Sequence, residues 1–449
     1  MVKLRSILRI RLVILLLVLL FLLRGDGLSP RDFWRYQVDP FASPYLFDWW
    51  GYEVETIWEK AGVWLRGLSF PLRESERIRE VRKYFALVDE IGRLGGEIER
   101  AVAEGRSKAE IEALQEEREA KEEERQKAEN GIEGILRDQV EETLAEEGIV
   151  FTLPLLEELV FPPVEFEFQT SPYLLVISPR ERIETLDKIS LVPSMRQTEM
   201  EDVEQQVDSL GVSSLVVPTG GMGSYPPIII ESGSLSYVVG AIIHEWTHNY
   251  LYFFPLGQHY SDSQELITMN ETVASLVEEE LSLVLEKRYY PEIYDQRMEA
   301  SREAEERVEP GEFDFNAFMR ETRLKVDELL AAGKVEEAET YMEERRKELV
   351  EKGYYIRKLN QAYFAFHGSY ATAPTSVSPI GGQMKELRKR SPSLAHFLRT
   401  VAQMKSYQDL LDAPTGYEML SSPEYSTSLY PSPWEGRRTF TLSSASSRS

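Results

Sequence analysis

His244, Glu245 and His248 stand together in the segment AIIHEWTHNY, residues 241–250, of a chain with only five histidines. On a helix, residues four apart share a face, so the two imidazoles can reach one ion together. Glu245 is then offset to the side, where it can contact a water on that ion rather than the ion itself. This is the H-E-x-x-H arrangement of zinc hydrolases, and alone it is only a hypothesis. A catalytic zinc also needs a third protein ligand and one open position. The chain has no cysteine, so disulfides and thiolate ligands are excluded and the third ligand must be His, Asp or Glu.

Two placements of that ligand can be tested against the sequence. The pattern H-E-x-x-H-x-x-G-x-x-H requires Gly at 251 and His at 254, but the chain has Leu251 and Phe254. The alternative draws a glutamate from a following helix, and ITMNETVASLVEEELSLVLE supplies Glu271 on a segment with helical spacing. His259, in the intervening loop, is a weaker candidate. Glu271 has a second reading, because Thr268-Met-Asn-Glu271 is also a capping-box pattern that would serve a helix start. The agreement of an apolar helix, a loop and a second helix carrying N-E-x-x-A favours the metal set His244, His248 and Glu271, holding one Zn2+.

The elements that must position these residues are mainly helical. From about Glu74 to Glu147, apolar residues recur at helical spacing (Val81, Phe85, Val88, Ile91, Leu94, Ile98), and a second helix begins where Ser107 and Glu110 form a capping box. This predicts an antiparallel helical hairpin over residues 76–147. Its stretch EEREAKEEERQKAEN is polar almost all round, so the tip is expected in solvent and open to a protein partner. Strands are predicted in Val164–Phe168, Tyr173–Ile177 and SSLVVPTGGMGSYPPIIIES, with a helix near TEMEDVEQQVDSLG. Residues 148–235 thus read as the strand-rich part and 236–412 as the helical, zinc-binding part of one α+β catalytic domain. The Ser- and Pro-rich tail, residues 413–449, reads as disordered.

At the N-terminus, Lys3, Arg5, Arg9 and Arg11 precede an unbroken apolar run from Leu12 to Leu23. That is the layout of a secretory signal, with its positive end held in the cytoplasm. The run is shorter than the roughly 20 residues of an ordinary span. Residues 1–27 are therefore expected to direct export, with retention as a membrane anchor favoured over cleavage. The aromatic segment 28–75 reads either as a membrane-interface belt or as packing against the folded domain, and packing is favoured. A net charge of −25 argues against nucleic acid as a partner, since phosphate binding needs clustered Lys and Arg.

These residues resemble the gluzincins, the thermolysin-like clan with H-E-x-x-H and a glutamate from the next helix. VVGAIIHEWTHNYLYF followed by MNETVASLVEEE is most similar to the bacterial membrane-associated predicted aminopeptidases, over roughly residues 150–412. The resemblance implies a mainly helical zincin-type domain with a small sheet, zinc on His244, His248 and Glu271, and Glu245 as general base toward a peptide or protein substrate. It also implies that TGGMGSYPPIIIES is the edge strand that holds an extended peptide. Gly220, Gly221 and Gly223 would leave room there for another backbone; a Gly-rich turn is the plainer account. Two departures stand out. The amine-anchoring G-x-M-E-N motif is missing, which leaves exopeptidase action open. Ser275 occupies the place of the Asp that often follows the glutamate ligand by four residues, so the support of the ligands must be built differently.

An anionic intermediate also needs a donor beside the metal. In KLNQAYFAFHGSYATA, residues Asn360, Tyr363, His367 and Tyr370 recur along one helical face, and His367 and Tyr370 are the candidate donors. A satisfied structural network explains the stripe equally well. The competing function is a non-enzymatic anchored scaffold that binds a partner through the hairpin. The presence of Glu245 beside all three ligands favours the enzyme, because a metal site without chemistry needs no base.

Overall fold

The computed structural model describes residues 30–49, 51–52, 73–152, 158–222, 224–231, 233–306, 313–368 and 378–413. The N-terminal segment 1–27, the tail beyond residue 413, Gly223 and Tyr370 lie outside these residues. Among the described residues, no helix is long and apolar enough to cross a membrane. The chain is mainly helical with small sheets, an α+β fold. It divides into two compact units, each assembled from separated stretches of sequence.

One unit combines the N-terminal stretch through Phe47 with Pro172–Pro218 and Lys325–Phe366. Its centre is a three-stranded antiparallel sheet in which Tyr173–Pro179 lies between Asp187–Leu191 and Val212–Val217. Leu175 sits opposite both Ile189 and Val216, so β-branched and leucine side chains stack across the strands. The helices Pro30–Ala42 and Gln197–Asp208 close one core with this sheet, burying Val38, Ala42, Val203 and Val207 against Leu175, Ile177, Ile189 and Leu191. At the start of the aromatic segment Trp34, Phe41 and Tyr45 pack against this core, while Phe33 and Tyr36 are exposed. A buried charge is compensated in the same unit. Glu204, 2% exposed, accepts from Arg357 and from the Val216 amide at 2.7 Å.

The other unit holds Asp48–Ser171, Thr219–Leu324 and the chain from His367 onward. The predicted hairpin is present as helices Glu74–Ala103 and Lys108–Glu146, with Ser107 and Glu110 exchanging their capping bonds. It is not an appendage, however. Val81, Tyr84, Phe85 and Val88 on one arm and Leu136, Val140 and Leu144 on the other join one core with Val238, Ile242, Val273 and Val277. The apolar stripe noted in the sequence has to be buried somewhere, and these helices supply the partner surface. The tip, from Glu104 to Glu110, is exposed, whereas the stretch EEREAKEEERQKAEN expected there lies in the middle of the second helix, where Arg125 pairs with Glu231. Shortening the tip symmetrically is therefore expected to leave melting temperature and metal content unchanged. Truncating Leu136 to Ala at the base should cost roughly 2–5 kcal/mol. Denaturant unfolding of both variants checks this; a tip deletion that unfolds the protein would contradict it.

The strands expected in 148–235 are shared between the two units. In this unit Glu167–Phe168 pairs in parallel with Ile228–Ile229, which pairs antiparallel with Gly221–Met222. Gly221–Met222 is the edge of that sheet. A second pair, Phe151–Thr152 with Glu158–Leu159, is separate.

Candidate metal centre

Two helices of the second unit build the site. Leu235–Tyr252 starts at Ser234, whose hydroxyl accepts from the Tyr237 amide. It is apolar on most of its circumference, with Val238, Val239, Ile242, Ile243 and Trp246 all 2% exposed or less. Its histidines lie on the remaining, partly exposed stripe. Gln264–Tyr289 packs against it and starts at Ser263, whose hydroxyl accepts from Leu266. Thr268 is accordingly inside the helix, its hydroxyl donating to Gln264 O at 2.9 Å. The capping-box reading of Thr268–Glu271 is thereby corrected, and Glu271 is available to face the neighbouring helix.

It does so. The ring Nε2 atoms of His244 and His248 lie 3.1 Å apart, and Glu271 Oε2 is 3.6 Å from the first and 3.4 Å from the second. A tetrahedral zinc with ligands at about 2.0–2.1 Å sets its donor atoms roughly 3.3 Å apart. The three separations bracket that value, so the donor set fits zinc with a fourth position open. Glu271 is buried and the two histidines are partly buried.

The other ring nitrogens explain why both Nε2 atoms turn inward. His244 Nδ1 bonds Glu278 Oε2 at 2.9 Å, and His248 Nδ1 bonds Asn270 Oδ1 at 2.7 Å. The Asn270 amide donates to Leu256 O, which turns its oxygen toward the imidazole. With acceptors at both Nδ1 atoms, a bound metal would displace any proton from Nε2 and leave the remaining proton on Nδ1, the tautomer a metal requires. Tyr260 donates to Glu271 Oε1 at 2.7 Å and orients the carboxylate. Burial pulls the His244 imidazole down, but the carboxylates of Glu271 and Glu278 outweigh it and hold the group up to about 10. That imbalance marks a concentration of negative charge able to attract a cation.

Glu278, Asn270 and Tyr260 escape a sequence reading. Glu278 replaces the support missing at Ser275 by standing seven residues, two helical turns, beyond Glu271 on the same face. It reads as solvated because it opens a Glu-Glu-Glu run, and only the seven-residue spacing signals it. Its carboxylate crosses the motif helix at Gly240, where an added Cβ would stand 2.8 Å from Oε1. Glu278→Ala is expected to weaken zinc about 10- to 100-fold in competition with a chromophoric chelator. Unchanged affinity would show that this carboxylate does not support the ligand.

Glu245 is 9% exposed, and burial pushes its carboxyl above the ordinary range against the pull of the His248 and His244 imidazoles. Gly221 lies directly against it, since an added Cβ would be 2.7 Å from Glu245 Oε1. The room left by this glycine is taken by the chain's own carboxylate. His259 pairs with Asp262 at 2.7 Å, outside the His244–His248–Glu271 cluster. Asn360 belongs to the first unit, where it donates to Ser214 O and accepts from the Tyr363 amide, both at 2.9 Å. For Asn360 the network reading holds. His367 ends the helix Gln361–His367, and burial pulls its imidazole down to about 4.

No protein-family profile, curated protein or solved structure matches the chain. The site stands on its own geometry.

Proposed function

We propose that the chain is a zinc-dependent peptidase with a gluzincin-like centre, in a zincin-type domain. The observation that carries this reading is the convergence of His244 Nε2, His248 Nε2 and Glu271 Oε2 within 3.6 Å of one another, with Glu245 on the adjoining helix position. Bound there, zinc would lower the pKa of its water toward 7 and polarise a carbonyl. The chain's own residues do the rest. Glu278 and Asn270 keep the imidazoles in one tautomer, and Tyr260 keeps the Glu271 carboxylate aimed. Glu245 takes a proton from the attacking water as its oxygen bonds to the carbonyl carbon. It gives the proton to the nitrogen as the C–N bond breaks. A raised carboxyl is closer to neutral pH and suits both roles.

As the last strand of its sheet among the described residues, Gly221–Met222 would offer backbone N–H and C=O groups to an extended peptide. His367, at the end of its helix, and Tyr370, outside the described residues, stand as proposed oxyanion donors on the sequence pattern alone. Chelator-sensitive cleavage of peptide pools with free and blocked N-termini tests the reading. Cleavage of blocked peptides marks an endopeptidase, and strict need for a free amine marks an aminopeptidase. Zinc binding without cleavage of either pool would favour the scaffold, with the hairpin tip as its partner surface. We also propose export, with the N-terminal segment as anchor to the membrane. A reporter fused after residue 60 should be active outside the cytoplasm; activity confined to the cytoplasm overturns this.

A further inference from the structure

Tyr237 lies two turns before His244 on the same helix and is 43% exposed, yet its ring occupies a built seat. Its hydroxyl donates to Gly220 O at 3.1 Å. A Cβ on Gly220 would overlap that hydroxyl, and a Cβ on Gly233, just before the Ser234 cap of the same helix, would overlap the ring. Two glycines thus give up side chains to one solvent-facing tyrosine, which mere exposure does not require. The next residue, Gly221, is the one in contact with Glu245 and the first residue of the sheet edge. The chain therefore runs without interruption from the Tyr237 hydroxyl through Gly220 and Gly221 to the carboxylate of Glu245.

We propose that Tyr237 is a positioning residue that clamps the edge Gly221–Met222 against Glu245, so that an extended peptide added to that edge meets the base in one register. The inference rests on the peptidase reading above. Tyr237 does not touch the zinc ligands and acts through the strand it holds. Loss of its hydroxyl loosens the edge and leaves the base on its helix, so the effect falls on substrate binding.

The test compares wild type, Tyr237→Phe, Gly220→Ala and the double variant, each loaded with zinc. Tyr237→Phe should keep the wild-type zinc content and melting temperature. For the cleaved peptide pool its KM should rise about threefold to tenfold, the size of one net hydrogen bond, with kcat within about twofold. Gly220→Ala should show the same KM rise and a lower melting temperature, because its methyl meets the hydroxyl. Adding Tyr237→Phe to Gly220→Ala should restore the melting temperature, since the nearest ring atom is then Cζ at 3.4 Å. A purely structural role would lower the active fraction, and so kcat, without moving KM. Wild-type cleavage with an unchanged KM in Tyr237→Phe overturns the clamp and leaves the peptidase reading intact. Loss of zinc from Tyr237→Phe also overturns it. A wild type that binds zinc and cleaves neither pool overturns both.

Discussion

Glu245→Gln is expected to retain its zinc and lose at least about 100-fold in peptide hydrolysis, the smaller end of what a general base contributes. Glutamine keeps the size of the side chain and one acceptor, but it cannot take a proton at neutral pH. The geometry predicts that the metal survives. Glu245 is not among the three converging donors, and Gly221 packs against its carboxylate rather than against a ligand. Melting temperature should change little or rise, because a neutral amide replaces a carboxyl that burial disfavours in its charged form. Zinc content and turnover measured on the same preparation separate the two effects. A variant that cleaves as fast as wild type would contradict the proposed role of Glu245.

Glu271→Ala should behave in the opposite way, losing metal and activity together. Removing this side chain deletes the only carboxylate of the donor set and leaves two imidazoles, whose Nε2 atoms lie 3.1 Å apart, to hold an ion alone. It also removes the acceptor of the Tyr260 hydroxyl at 2.7 Å. Supporting residues such as Glu278 change affinity by one or two powers of ten. A ligand should cost more, and competition with a chelator should leave the variant essentially metal-free. Activity that persists at wild-type zinc occupancy would transfer the third-ligand role elsewhere, and His259 is a poor heir because Asp262 holds it.

Much of this site is written locally and is therefore legible. The spacing of His244 and His248 needs only a helix, and the helix is declared by its apolar residues, although it starts at Leu235 behind a Ser234 cap that a sequence reading passes over. Glu271 is legible because loop and helix follow directly. The helical hairpin shows for the same reason, down to the exchange between Ser107 and Glu110. Long-range arrangement is not legible. The strand Tyr173–Pro179 shares a core with helix Pro30–Ala42, and Arg180, just beyond it, forks onto Glu339. Contiguous reading instead assigns residues 148–235 to one part of one domain. Hairpin burial is missed because a polar tip dominates the composition while a few apolar positions at the base decide the packing. Glu278 is missed because nothing in a run of glutamates tells which one turns inward; the register set by Glu271 does.

Elemental analysis of the purified wild-type chain, beside Glu271→Ala, bears most directly on the claim that His244, His248 and Glu271 form a zinc centre. After mild purification the wild type should carry about one zinc per chain, as expected for three N/O ligands with an open fourth position, and the variant almost none. A wild type free of transition metal, or a variant that holds as much zinc as wild type, would contradict the account.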